Sequence, residues 1–287
     1  MEKVPEQLKD FRNFMYIVWK HLNLPDPTPV QYDIAEFIQT APKRAIIEAF
    51  RGVGKSYITA AFVVHQLLLD PQKKFMVVSA SKQRADDFST FTQRLILELP
   101  ICQHLIATSE QRWSKIAFDV RPALASGSPS VKSVGITGQL TGSRADIIIA
   151  DDIEVPNNSM TQMMREKLSE AVKEFDAVLK PDGKILYLGT PQCEMSLYNT
   201  LTERGYKMRV WTARYPNIDN AEKAYGDRLA PTLWDAMHDA EEPLDGKPVD
   251  PMRFDDEDLM ERELSYCLLY TSPSPRDRSL SRMPSSA

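Results

Sequence analysis

An apolar run, Ala45-Ile-Ile-Glu-Ala-Phe50, passes directly into Arg51-Gly-Val-Gly-Lys-Ser56 and then into Tyr57–Val64, an apolar stretch of helix-forming character. No other feature of the 287-residue chain restricts its fold so tightly. A strand, a Gly-rich turn and a helix in that order gather the backbone N–H groups of Gly52 to Lys55 at the positive end of the new helix, where an anion is held. Lys55 then reaches the β- and γ-phosphates of a nucleotide, and the Ser56 hydroxyl goes to Mg²⁺. The pattern therefore predicts a P-loop that binds ATP through Phe50, Arg51, Gly52, Val53, Gly54, Lys55 and Ser56. The common form of this loop opens on glycine, and here that place is Ala49. Arg51, four residues before Lys55, is placed to approach the γ-phosphate from within the same chain, a role worth ~10³–10⁵ in rate.

A second run, Asp146-Ile-Ile-Ile-Ala-Asp-Asp152, delivers two carboxylates at the end of a predicted strand. In an open parallel sheet ligands bind beyond the carboxyl ends of the strands, so these acids are expected to face the same crevice as the loop. Asp151 is assigned to the metal and Asp152 to the attacking water, with Glu154 as the rival for the second role. Thr190, which closes the predicted strand Ile185–Leu188, is placed to sense the γ-phosphate and relay its loss. Gln31, upstream in Thr28-Pro-Val-Gln-Tyr-Asp33, carries an amide able to pair with an adenine edge. Arg144, at the end of a Gly- and Thr-rich loop, is expected to reach a phosphate of its own site or of a neighbouring subunit's; a structural salt bridge is the alternative.

Short apolar runs alternate with helix-period segments, which predicts a mostly parallel sheet covered by helices. Strands are expected at Arg44–Phe50, Phe75–Ser79, Ile116–Val120, Ile147–Ala150, Ile185–Leu188 and Tyr206–Thr212. Helices are expected at Phe11–His21, Gln31–Gln39, Ser56–Leu69, Gln83–Leu97, Gln162–Leu179 and Met195–Arg204. The ATPase core is thus read over residues 1–215, its amino-terminal helices on the adenine side. Residues 216–266 are read as an acidic lid or linker region, and Asp235–Glu263 within it as solvated, because charge runs are usually exposed. Residues 267–287, rich in Ser, Pro and Arg, read as a disordered tail. That string also resembles translated sequencing-adapter read-through, which would put the end of the natural chain near Tyr266.

Three scattered cysteines and four histidines argue against a disulfide scaffold or a zinc ribbon. No apolar run reaches the ~18–20 residues of a membrane span. The formal net charge of −5 argues against static wrapping of nucleic acid but leaves local contacts open. Lys82, Arg84 and Lys132 are the candidates for such contacts.

Thr28–Asp33, Ala49–Ser56, Ser79–Phe88, Ser128–Glu154 and Leu188–Gln192 together resemble the ATPase domain of the large terminase subunit of short-tailed lytic phages. The resemblance is most specific over Pro129–Asp146 and extends from about Val4 to Tyr266. It implies an α/β P-loop ATPase of the additional-strand (RecA-like) type that drives double-stranded DNA into a procapsid with ATP and Mg²⁺. It further implies a ring, a pentamer by resemblance, on the portal protein, a small terminase subunit as partner, and residence in the host cytoplasm with transient docking on the portal. The family's nuclease domain is expected to be absent, since the resemblance stops where the Ser/Arg-rich tail begins. Asp152 stands where many members carry Glu. A P-loop helicase or translocase, or a nucleotide-binding scaffold that does not hydrolyse, are the alternatives.

Overall fold

The computed structural model describes residues 4–190 and 196–266. The expected tail at 267–287 and the start of the helix expected at Met195 lie outside them. Seven strands form one sheet: β1 (Arg44–Ala49), β2 (Phe75–Ser79), β3 (Ala117–Phe118), β4 (Val131–Gly135), β5 (Ala145–Asp151), β6 (Leu179–Gly189) and β7 (Lys207–Trp211), in the order β3-β4-β2-β5-β6-β1-β7. All pairs are parallel except β3 with β4. The strand that feeds the Gly-rich loop, β1, and the strand that ends in the acid pair, β5, are not neighbours, because β6 lies between them. That inserted strand is the additional strand of the expected fold class.

Eleven α-helices accompany the strands among the described residues: α1 (Phe11–His21), α2 (Pro29–Thr40), α3 (Lys55–Leu69), α4 (Lys82–Glu98), α5 (Pro156–Ser159), α6 (Gln162–Ala171), α7 (Glu174–Val178), α8 (Leu197–Glu203), α9 (Ile218–Ala224), α10 (Pro231–Asp239) and α11 (Asp256–Tyr266). Capping sets several of their starts. Thr28 forms a capping box with Gln31 at the head of α2, and Ser81 caps α4. Helix α3 is buried along most of its length, as its nearly unbroken apolar sequence requires, since it packs against α1, α2 and α4.

Three differences from the expected elements have physical reasons. Strand β4 is not among the expected strands; the Gly- and Thr-rich loop expected over Val134–Arg144 overlaps its last two residues, and Lys132, Ser133 and Gly135 hide the strand's alternation. The single helix expected over Gln162–Leu179 is broken at Val172–Lys173 into α6 and α7, and β6 begins at Leu179, six residues earlier than expected, across a Pro-Asp-Gly stretch. Much of Asp235–Glu263 is exposed, as expected, but residues 216–266 are fastened to the sheet rather than forming a free linker. Tyr225, Leu229, Leu233, Val249 and Leu259 are buried, and backbone bonds from Val249 N–H to the Ala213 carbonyl and from Ala230 N–H to the Val210 carbonyl (both 2.9 Å) fasten the segment to β7 and its extension. Among the described residues no helix is long and apolar enough to cross a membrane.

Gly135, the last residue of β4, lies under the first turn of α4. A β-carbon there would stand 2.7 Å from the Lys82 backbone nitrogen and 3.1 Å from the Ser81 carbonyl carbon. Backbone cannot swing aside as a side chain can, so Gly135→Ala is expected to lower stability by ~1–3 kcal/mol. A urea midpoint equal to that of the unsubstituted protein would contradict this close approach.

Candidate nucleotide site

The strands end together, and the carboxyl edge of the sheet carries the site. Gly52 and Gly54 adopt φ of 92° and 94°, a left-handed conformation that a side chain strains. These two residues turn the loop back on itself and start α3 with Gly54 at its N-cap. Lys55 is buried, and its ammonium donates to the Ala49 carbonyl at 2.6 Å, the Phe50 carbonyl at 3.3 Å and Thr190 Oγ1 at 3.4 Å. Burial pulls its pKa down, and the carboxylates of Asp152 and Asp151 oppose that pull. Thr190 in turn donates to the Ala49 carbonyl at 3.2 Å, so the end of β6 is joined to the start of the loop.

The outside of the loop is held by distant segments. Gln31 donates from Nε2 to the Val53 carbonyl at 2.8 Å and accepts from Thr28 N–H at 3.1 Å. Only 1% of Gln31 is exposed, and its amide is engaged on the loop and on its own helix cap. The Arg253 guanidinium donates to the Gly52 carbonyl, and the Phe254 ring lies over Gly52, where a β-carbon would meet it at 2.7 Å. Phe50 is buried against the same ring, centroids 6.1 Å apart and nearly perpendicular. Sequence reading missed Arg253 and Phe254, which lie some 200 residues downstream and form no local motif.

Ser56 Oγ donates to the Asp151 carboxylate, 3.1 Å to Oδ2 and 3.4 Å to Oδ1. Burial, and the neighbouring Asp152, raise the Asp151 pKa to about 6, against the pull of Ser56 and Lys55. Asp152 takes a left-handed φ of 45°, and its N–H continues the sheet by donating to the Leu188 carbonyl at 2.8 Å. Arg51, Ser56, Asp151 and Asp152 line one cavity of about 1180 Å³. The paired hydroxyl and carboxylate are the hard oxygen donors that Mg²⁺ takes, and the donor set fits that ion together with phosphate oxygens.

Glu154 and Arg144 are placed otherwise than expected. Glu154 borders the cavity but is 2% exposed, and its Oε2 accepts from Ser196 Oγ at 2.9 Å and from Leu197 N–H at 2.8 Å. It thus caps α8 and ties the loop after β5 to the segment after Thr190. Arg144 precedes β5, and Asp151 ends it, so the seven-residue strand at ~3.3 Å per residue sets the two roughly 20 Å apart at opposite edges of the sheet. Arg144 does not reach the phosphates of its own site. Nor does it form the alternative salt bridge; its guanidinium donates to the Ala177 carbonyl. Lys82 pairs with Asp86 at 2.7 Å and Lys132 donates to Ser143 at 3.3 Å, whereas Arg84, a candidate for nucleic acid, lines the cavity.

No family model matches the chain. Over 268 residues it is 54% identical to the terminase large subunit of Enterobacteria phage T3, an alignment that covers 92% of this chain and 46% of the phage protein. The chain therefore spans about half the length of that relative. Among solved structures it is similar to the large terminase ATPase domain of Thermus phage P74-26, with 19% identity and a TM-score of 0.38 over 61% of this chain and 68% of that one. It is also similar to the large terminase of bacteriophage HK97, with 13% identity and a TM-score of 0.48 over 77% of this chain and 47% of that one.

Glu48, on β1 one residue before Ala49, is 4% exposed, and burial raises its pKa to about 8 against the pull of Arg228 and Lys55. Its native pKa lies above that of the unfolded chain, so its contribution to stability is greatest below the unfolded value near 4.5 and is lost as pH rises to about 8. Glu48→Gln removes this titration. Relative to the unsubstituted protein, the variant is expected to gain stability between pH 5 and pH 8.5, by up to ~4 kcal/mol. Urea unfolding at the two pH values measures the difference, and a pH-independent difference would refute it.

Proposed function

The chain belongs to the terminase large-subunit family, and from that premise we propose that it is an ATP-hydrolysing motor subunit that translocates double-stranded DNA into a procapsid. The observation that carries this reading is the convergence of Lys55, Ser56, Asp151, Asp152 and Arg51 at one edge of a sheet whose loop strand and acid strand are separated by a third. The loop N–H groups and Lys55 hold the phosphates, and Lys55 exchanges its carbonyl partners for phosphate oxygens as the nucleotide enters. Ser56 and Asp151 would hold Mg²⁺, which neutralises charge on the β- and γ-phosphates. Asp152 orients a water and accepts its proton as the water oxygen bonds to the terminal phosphorus and the bridging P–O bond to ADP breaks. Arg51 offsets the charge that develops on the transferred phosphoryl group.

The bonds from Thr190 to Ala49 and from Glu154 to Ser196 and Leu197 give loss of the terminal phosphate a path into β6 and α8. A single subunit would release its track between strokes, so a ring of subunits on the portal, served by a small terminase subunit in the host cytoplasm, completes the reading. Arg144, exposed at the far edge of the sheet, is then available only to a neighbouring subunit.

Lys55→Ala is expected to lower DNA-stimulated ATP turnover by ~10²-fold or more, since it removes a charge-assisted contact to the transferring group. Turnover equal to that of the unsubstituted protein would sink the assignment. DNA stimulation should also fall steeply with added salt, as counterion release demands, and a salt-independent stimulation would argue against phosphate contacts.

A further inference from the structure

The site contains a second arginine that no loop motif supplies. Arg84 sits in the first turn of α4 and lines the cavity that Arg51, Ser56, Asp151 and Asp152 share. Its neighbour Lys82 is neutralised by Asp86, but Arg84, like Arg51, forms no side-chain hydrogen bond or ion pair among the described residues. Its charge reaches Asp151 and favours that carboxylate.

The position of Arg84 is enforced by packing. Ser79, at the end of β2, pairs in register with Asp151 on one side and with Gly135 on the other. Ser81 then caps α4, accepting from Arg84 N–H at 3.3 Å. Gly135 lets this first turn come down onto the sheet, where a β-carbon would touch the Lys82 backbone. Two arginines without side-chain partners among the described residues thus line one cavity from two different elements, beside the acid pair Asp151 and Asp152. A polyanion with a terminal dianionic group matches that arrangement, and a diphosphate, one group shorter, leaves the second arginine without a partner.

We propose that Arg84 contacts the terminal phosphate of bound ATP, so that α4 is tied to the nucleotide only while it is a triphosphate. The assignment rests on the ATPase reading above and adds a catalytic-site residue to it. Equilibrium binding of a non-hydrolysable ATP analogue and of ADP, each with Mg²⁺, tests it in the unsubstituted protein, Arg84→Ala and Arg84→Lys. Arg84→Ala is expected to lose about 10–100-fold in affinity for the triphosphate and about 2-fold or less for ADP, with partial recovery in Arg84→Lys. Equal losses for both nucleotides would assign Arg84 a merely structural role and overturn the proposal. Unchanged nucleotide affinities with weaker DNA-stimulated turnover would place Arg84 on DNA and also overturn it. An unsubstituted protein that binds neither nucleotide would instead remove the ATPase reading and this assignment together, while triphosphate binding lost in Lys55→Ala but kept in Arg84→Ala would spare the reading and refute only Arg84.

Discussion

The buried ammonium of Lys55 is the interaction on which the rest of the site depends. A charge taken out of water must be repaid by partners, and here those are the Ala49 and Phe50 carbonyls and the Thr190 hydroxyl. For two successive carbonyls to aim inward, the chain must turn immediately after Phe50, and the left-handed Gly52 and Gly54 provide that turn. The same ammonium therefore closes the loop, joins it to the end of β6 and stands where phosphate oxygens would compete for it. Glu48 behind it and Asp151 beside it are both raised in pKa by burial, and Glu48, pushed up to about 8, adds little negative charge near neutrality.

The loop is also gripped from outside by parts of the chain far away in sequence. Thr28 donates to Asp250 at 2.7 Å, which links the cap of α2 to the segment carrying Arg253 and Phe254. Gln31 holds Val53 from one side while Arg253 and Phe254 hold Gly52 from the other. Arg262, on α11, lies 4.2 Å over the Phe254 ring and extends the grip to the last described helix. A displacement of residues 250–262 is thereby felt at the P-loop, although none of them belongs to it.

Much of this was legible in the sequence where residue type alone dictates geometry. Gly52, Gly54, Lys55 and Ser56 are local chemistry at fixed spacing, and the two aspartates follow an unbroken apolar strand, so both halves of the site could be located before any contact was known. The partners of the loop were not legible, because Arg253 and Phe254 sit in an acidic stretch whose composition resembles solvated surface, and only tertiary packing sets them on Gly52. The strand β4 was hidden for a related reason: buried on a sheet, Lys132, Ser133 and Gly135 serve packing and close approach rather than alternation. The residue type of Gln31 suited an adenine edge, and its place in the capping box and on the Val53 carbonyl came into view only in the structure.

Neighbouring side chains in an extended strand point to opposite faces, so Asp151 and Asp152 would diverge if β5 simply continued. The left-handed turn at Asp152 breaks the alternation, at a cost of ~1–3 kcal/mol for a residue that is not glycine, and the two carboxylates then line the same cavity. The Asp152 N–H still finds the Leu188 carbonyl, so the ladder to β6 extends into the turn. This same turn redirects Glu154. With regular alternation it would lie on the face of Asp152; with the chain bent, it is carried inward to Ser196 and Leu197. The strain at one residue thus sorts three acids into two occupations, a pair held at the phosphate cavity and a third that fastens the next helix.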